Sequence, residues 1–218
     1  MIITNNPELK EVIYNNIRDT VTGERTGVHL SDLIYCSRKA YFRKMGMSPP
    51  PSSELCVLWM TGFAFQVYMF PKEKEIAVEL DGIWCTPDIT RGIEVKSTRR
   101  SSRKFNLDDV VQYKRQILGY CKVLDKLEYD LVVLFVCGNY APPFPDVDCW
   151  HIETTQEEVD ANWQEALFRA FRIQLALQHK VPPEPDCMDW EWEYCENIEF
   201  CQDTVCWRKK NLRGGKKK

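Results

Sequence analysis

The stretch Pro87-Asp88-Ile89-Thr90-Arg91-Gly92-Ile93-Glu94-Val95-Lys96 decides how the rest of the chain is read. Gly82 to Ile89 is rich in β-formers, Thr90-Arg91-Gly92 is a turn cluster, and Ile93 to Thr98 alternates apolar with polar, so the segment reads as a hairpin. Asp88 and Glu94 stand equally far from Arg91. In a hairpin closed there, their carboxylates face each other with Cβ atoms about 5 Å apart. Lys96, two residues beyond Glu94, points to the same face. Close carboxylates repel, which drives one toward protonation unless a cation intervenes. Magnesium or manganese takes oxygen ligands and keeps waters. A metal-bound water is the better nucleophile, and a neighbouring ammonium can orient it or stabilise an anionic transition state. The chemistry indicated is metal-assisted hydrolysis of a phosphodiester; an ordinary Glu–Lys pair on a surface hairpin is the bland alternative.

A chain of 218 residues, 44% hydrophobic, suggests one domain with a real core. We place that domain at residues 1–207, with its active hairpin at 75–98, and a basic disordered tail at 208–218. The net charge of −3 does not announce a nucleic-acid partner, but the distribution of charge is uneven. Basic residues cluster at Arg38-Lys39, Arg43-Lys44, Arg99-Arg100, Arg103-Lys104 and the tail, while acids crowd Glu184 to Glu199. Local basic patches bind phosphates under a neutral overall charge, and Arg99, Arg100, Arg103 and Lys104 follow directly on Lys96. The N-terminal residues are polar, without an apolar signal core, and no apolar run reaches membrane-spanning length. A reduced, cytoplasmic protein is expected (the host cytoplasm if the chain is viral), with no membrane partner.

Around the central stretch the periodicity predicts a mixed α/β order. A polar helix falls at 5–18. Ser31 caps a helix to Arg43, with Gly46 as its stop. A helix capped at Ser52 or Ser53 runs to about Met69 and, apolar nearly all round, is expected to be buried. Strands at Glu75–Leu80 and in the hairpin follow, then a helix at Leu107–Leu124 capped by Asn106. The continuous apolar run Leu131–Cys137 predicts a central strand and Asp148–Glu153 an edge strand. Thr155 with Glu158 is a capping box for a long helix to about His179. Gln116 and Tyr120, four apart on one helix face, lie downstream of the carboxylates.

Ten cysteines is a high count, and in a reduced compartment clustered cysteines more often bind metal than form disulfides. Cys187, Cys195, Cys201 and Cys206 crowd the segment 182–207, which lacks periodicity and needs a staple. Thiolates suit zinc or an iron–sulfur cluster, and Cys36 could tie the N-terminal helix to this segment. Cys56, Cys85, Cys121, Cys137 and Cys149 read as core residues. His29, a lone histidine, reads as structural.

Taken together, the segment His29-Leu30-Ser31-Asp32-Leu33-Ile34-Tyr35-Cys36-Ser37-Arg38-Lys39-Ala40-Tyr41-Phe42, the Pro87-Asp88 and Glu94-Val95-Lys96 elements, Gln116 with Tyr120, and the late cysteines resemble the RecB-like branch of the PD-(D/E)XK nucleases, and within it the CRISPR-associated Cas-four-type iron–sulfur nucleases. The resemblance implies a restriction-endonuclease-like mixed β-sheet flanked by helices, with a cysteine-rich metal-cluster region joining the N-terminal helix and the C-terminal tail. It implies that Asp88, Glu94 and the Val95 carbonyl hold magnesium or manganese, that Lys96 positions the attacking water, and that Gln116 and Tyr120 hold DNA and site geometry. A four-iron, four-sulfur cluster would sit on Cys36, Cys187, Cys195 and Cys201, with Cys206 in reserve and zinc as the alternative metal. The activity implied is cleavage of DNA, typically single-stranded and from an end, sometimes endonucleolytic, in CRISPR spacer acquisition beside the integrase proteins, in repair or in viral DNA processing. Two positions depart from the family pattern. Gln66 stands where relatives carry a metal-binding histidine, so it would join the metal ligands through its amide oxygen, and Trp192 stands where the first of the late cysteines is usual. A catalytically weak DNA- or protein-binding module that kept the fold is the competing reading.

Overall fold

A computed structural model describes residues 7–21, 25–136 and 146–201. Cys137, Cys206 and the basic tail 208–218 lie outside the described residues. Helix α1 (Pro7–Val21) precedes a short strand β1 (Val28–His29) and two helices, α2 (Leu30–Leu33) and α3 (Ser37–Lys44); α4 (Ser53–Met69) follows. Strands β2 (Val78–Leu80), β3 (Ile83–Cys85) and β4 (Ile93–Thr98) lead through two 3-10 turns to α5 (Val111–Leu124), β5 (Glu128–Phe135), β6 (Asp146–Glu153) and α6 (Gln156–His179). The chain is a mixed α/β fold in which helices flank two mixed three-stranded sheets, ordered β1-β3-β2 and β4-β5-β6. In the second sheet β4 pairs parallel with β5, Glu94 in register with Leu131, and β6 runs antiparallel on the far edge.

The centre is β5. Leu131, Val133 and Phe135 are fully buried, as expected for a continuous apolar run. They join Ile117 of α5 and Trp163 and Ile173 of α6 in one core. The α6 capping box forms as expected: Thr155 Oγ1 accepts from the Glu158 amide at 3.2 Å, and the Thr155 amide donates to Glu158 at 3.0 Å.

The hairpin expected around Thr90-Arg91-Gly92 is not formed. β3 and β4 belong to different sheets, and residues 86–92 cross between them. The cause is Asp88, whose Oδ1 accepts from the amides of Arg91 at 3.0 Å and Gly92 at 2.8 Å. A side chain that takes two turn amides competes with ladder pairing, and β5 offers β4 a longer apolar partner.

The single helix expected from Ser31 to Arg43 is broken at Ile34–Cys36 into α2 and α3. Carbonyls released there are used: those of Leu33 and Tyr35 accept from the buried Arg169 guanidinium at 3.1 and 2.9 Å. The helix expected to be buried, α4, buries only Cys56 among its apolar side chains; Trp59, Phe63 and Val67 form an exposed stripe, Phe63 at 55%. Its main packing partners among the described elements are α1 and β4. Its crossing of β4 is close because of Gly62, where a Cβ would stand 2.7 Å from Ser97 Oγ; Ser97 Oγ donates to the Leu58 carbonyl at 3.1 Å. That contact carries Gln66, one turn later, toward the carboxylates. No helix among the described residues is long and apolar enough to cross a membrane.

Candidate active site

β4 delivers Glu94 and Lys96 to one face of the sheet, and α5 lays Gln116 and Tyr120 over them. Lys96 Nζ pairs with Glu94 Oε1 and donates to Gln116 Oε1 at 2.7 Å. Gln116 Nε2 in turn donates to Glu94 at 3.2 Å and to the Tyr120 hydroxyl at 2.7 Å. The amide thus reads both charges at once, its oxygen on the ammonium and its nitrogen on the carboxylate. Lys96 also stands 5.7 Å from the centre of the Tyr113 ring, within cation–π range. Burial pushes the Glu94 carboxyl above the usual carboxylate range; Lys96 opposes this, and the charge of Glu75 adds to it. Burial and the Glu94 charge likewise raise the Tyr120 phenol, so at neutral pH it is a neutral hydrogen-bonding group.

Asp88 is fixed differently. It is 2% exposed, and its backbone is clasped by one side chain: the Tyr129 hydroxyl accepts from the Asp88 amide at 2.9 Å and donates to the Asp88 carbonyl at 3.1 Å. Asp88 forms an isolated antiparallel bridge with Glu75. The flanking bonds, Ile76 N–H to the Pro87 carbonyl and Ile89 N–H to the Lys74 carbonyl, make this a non-hydrogen-bonded pair, the kind in which facing side chains lie closest, with Cα atoms about 4.5 Å apart. The carboxylate facing Asp88 across strands is therefore Glu75, which corrects the expectation that it is Glu94.

Glu75 and Tyr129 are the residues that the sequence reading missed. A signal for Glu75 was present: it opens the strand run expected before the hairpin. Nothing in the sequence marked Tyr129, which lies two residues before the apolar run. Gln66, expected among the metal ligands, donates through Nε2 to Glu75 Oε1 at 2.6 Å. Val95 lies on β4 in register with Val132. Arg99, Arg100 and Arg103 are exposed just past the strand end, and Lys104 closes the 3-10 turn there.

Asp88 Oδ2 is buried and has no hydrogen-bond partner. An orphaned carboxylate oxygen is costly, and a hard cation would satisfy it. The donor set therefore fits magnesium or manganese, although among the described residues no three His, Cys, Asp or Glu side chains already stand together as a metal cage.

Cys36 lies at the break between α2 and α3, and among the described residues no three cysteines stand together as a metal cage. Cys36 is hydrogen-bonded to Cys187, which holds its thiol below the usual range. Cys195 and Cys201 lie near enough to feel the Cys36 charge; burial raises both, Cys201 to about 11. Protein groups already staple this segment. Asp186 accepts from the Ser37 amide at 2.6 Å and the Ser37 hydroxyl at 2.7 Å, at the start of α3, and pairs with Arg172 at 3.2 Å and Arg169 at 3.5 Å. Glu191 accepts from the Cys36 amide at 3.1 Å. Arg38 donates to the carbonyls of Pro183 and Phe200, and Lys39 pairs with Glu196 at 2.8 Å. The first basic cluster of the sequence is thus engaged by the C-terminal segment. Cys56, Cys85 and Cys121 are buried as expected, but Cys149 is exposed, because it lies on the edge strand β6. His29 is structural in its contacts: its Nε2 is hydrogen-bonded to the Thr26 carbonyl at 2.9 Å.

By structure the chain is similar to SSO0001, with a TM-score of 0.56 and 13% identity over 90% of this chain and 97% of that one. It is also similar to an alkaline exonuclease, LHK-Exo, from Laribacter hongkongensis, with a TM-score of 0.43 and 10% identity over 71% of this chain and 91% of that one. No protein-family model and no curated protein matches the sequence. The likeness to SSO0001 spans nearly both chains and is one of fold.

Proposed function

We propose that the chain is a metal-dependent DNA nuclease that hydrolyses phosphodiesters. The observation that carries this reading is the Glu94–Lys96–Gln116–Tyr120 network together with a buried Asp88 carboxylate whose Oδ2 has no hydrogen-bond partner. Asp88 and Glu94 would hold the cation, with the Val95 carbonyl and Glu75 at its edges and Gln66 steering Glu75. The bound cation would supply a lowered pKa for water and charge neutralisation at phosphate. The chain's own residues do the rest. Lys96, held in direction by Gln116, orients the water that attacks phosphorus and donates to a phosphoryl oxygen as negative charge develops there. The phosphorus–oxygen bond to the leaving nucleoside breaks, and the departing oxygen takes up a proton. Arg99, Arg100, Arg103 and Lys104 would meet the flanking phosphates.

Single-stranded DNA, cut from an end, is the substrate that the family resemblance favours, with trimming beside CRISPR integrase proteins, repair or viral DNA processing as the settings. Cys36, Cys187, Cys195 and Cys201 carry soft donors that would suit a four-iron cluster, with zinc as the alternative, once drawn together into a cage. Iron, sulfide and zinc analysis of anaerobically purified protein separates the two. The functional test is cleavage of end-labelled single- and double-stranded DNA with magnesium, manganese or EDTA. Cutting that needs the metal supports the reading. Binding without cutting under either metal returns the competing reading, a DNA-binding module.

A further inference from the structure

A cavity of about 250 Å³ opens beside Lys96, Gln116 and Tyr120 and runs back to the N-terminal segment, where Arg25, Tyr35 and Trp84 line it. Among the described residues no aspartate or glutamate lines this cavity, although Glu94 pairs with Lys96 at its rim. Its charged groups among the described residues are the cations Arg25 and Lys96, and its walls include the aromatic rings of Tyr35, Trp84 and Tyr120. Charge is therefore divided across the site, carboxylates on the side of Asp88 and Glu75, cations on the cavity side. A ligand matching the cavity carries both negative charge and a flat ring.

The walls are held in place. Trp84 sits in the middle strand of its sheet, in register with His29 and Glu79. The edge of its indole rests on Gly27, where φ is +73° and a Cβ would stand 2.8 Å from Cδ1. Arg25 Nη1 donates to Ser31 Oγ at 3.1 Å, one bond of a guanidinium that carries five donors. Tyr35 is held edge-on to Trp190, with ring centroids 6.4 Å apart. The volume falls below the range of about 300–1,000 Å³ of typical small-molecule sites, which suits one nucleotide and not a run of them.

We propose that this cavity is a single-nucleotide subsite beside the scissile phosphate, with Trp84 as the platform on which the base stacks and Arg25 as the contact to its phosphate. The inference rests on the nuclease reading and adds the part of the substrate that the catalytic groups do not grip.

The test uses single-stranded oligonucleotides with 2-aminopurine at one position at a time, bound to the full chain with calcium in place of magnesium. Wild type quenches the probe at one position. Trp84→Ala abolishes that quench and weakens binding about 5- to 150-fold, the range for loss of one stacked base, and Trp84→Phe restores both. Arg25→Gln lowers the slope of log affinity against log salt by about 0.7, the loss of one phosphate contact on a single strand. Equal quenching along the strand, or wild-type binding and salt slope in both Trp84→Ala and Arg25→Gln, overturns the subsite and leaves the nuclease reading standing. Absence of DNA binding by wild type removes both. If Trp84→Ala does not fold, Arg25→Gln, at an exposed side chain, decides alone.

Discussion

Tyr129→Phe removes one oxygen from the interior and tests how Asp88 is held. The hydroxyl accepts from the Asp88 amide at 2.9 Å and donates to its carbonyl at 3.1 Å, and both residues are 2% exposed. Because Asp88 and Glu75 form a non-hydrogen-bonded pair, the ladder cannot take these two groups back. A buried group left without a partner costs about 1–3 kcal/mol, so the variant should lose about 2–4 kcal/mol once partial relaxation is allowed for. A domain stable by about 5–15 kcal/mol survives that loss, which makes it measurable by urea unfolding at unchanged m. The loosened Asp88 should also bind manganese about 10- to 100-fold more weakly, as expected when a supporting contact behind a metal ligand is lost. Tyr68→Phe, at an 82% exposed site, is the neutral control. A stability change below about 0.5 kcal/mol with wild-type manganese affinity would refute the clasp.

Other consequences follow from the same contacts. Glu75→Gln should weaken manganese binding in calorimetry without loss of stability, whereas Glu79→Gln, on the exposed part of β2, should change neither. Asp186→Ala leaves Arg169 and Arg172 without their shared carboxylate and should cost about 3 kcal/mol, read by thermal unfolding, with the C-terminal segment the first to be cut by protease. Glu94 carries a raised pKa in the fold, so its contribution to stability is present at low pH and is lost as pH rises through that raised value. Cation binding needs the ionised form, so manganese affinity should climb with pH over an interval above the ordinary 4.5, and Glu94→Gln should flatten the climb.

The sequence made the periodic elements legible and left the crossings hidden. The buried run of β5, the Thr155–Glu158 capping box, the edge position of β6 and the pairing of Gln116 with Tyr120 follow from local rules, and each is found where expected. The hairpin was misread because a turn cluster between two β-rich runs looks the same whether the strands close on each other or leave for separate sheets. What settles it is long-range: β5 takes β4 as its partner, and Asp88 uses its own carboxylate to make the turn. Glu75 was hidden for the same reason, since its partner depends on that crossing. The α4 helix shows the limit of composition, because an apolar surface all round says nothing about how many neighbours will cover it. Tyr129 had no local signature; its hydroxyl matters only through a backbone 41 residues away.

The most direct measurement is single-turnover cleavage of end-labelled single-stranded DNA in magnesium or manganese by wild type, Glu94→Ala and Lys96→Ala, each shown to be folded. Wild type should cut only with the metal, and both variants should lose at least about 100-fold, the scale expected when an electrostatic group at the reacting centre is removed. Cutting by either variant at the wild-type rate would place the chemistry elsewhere and contradict the assignment of β4 as the catalytic strand.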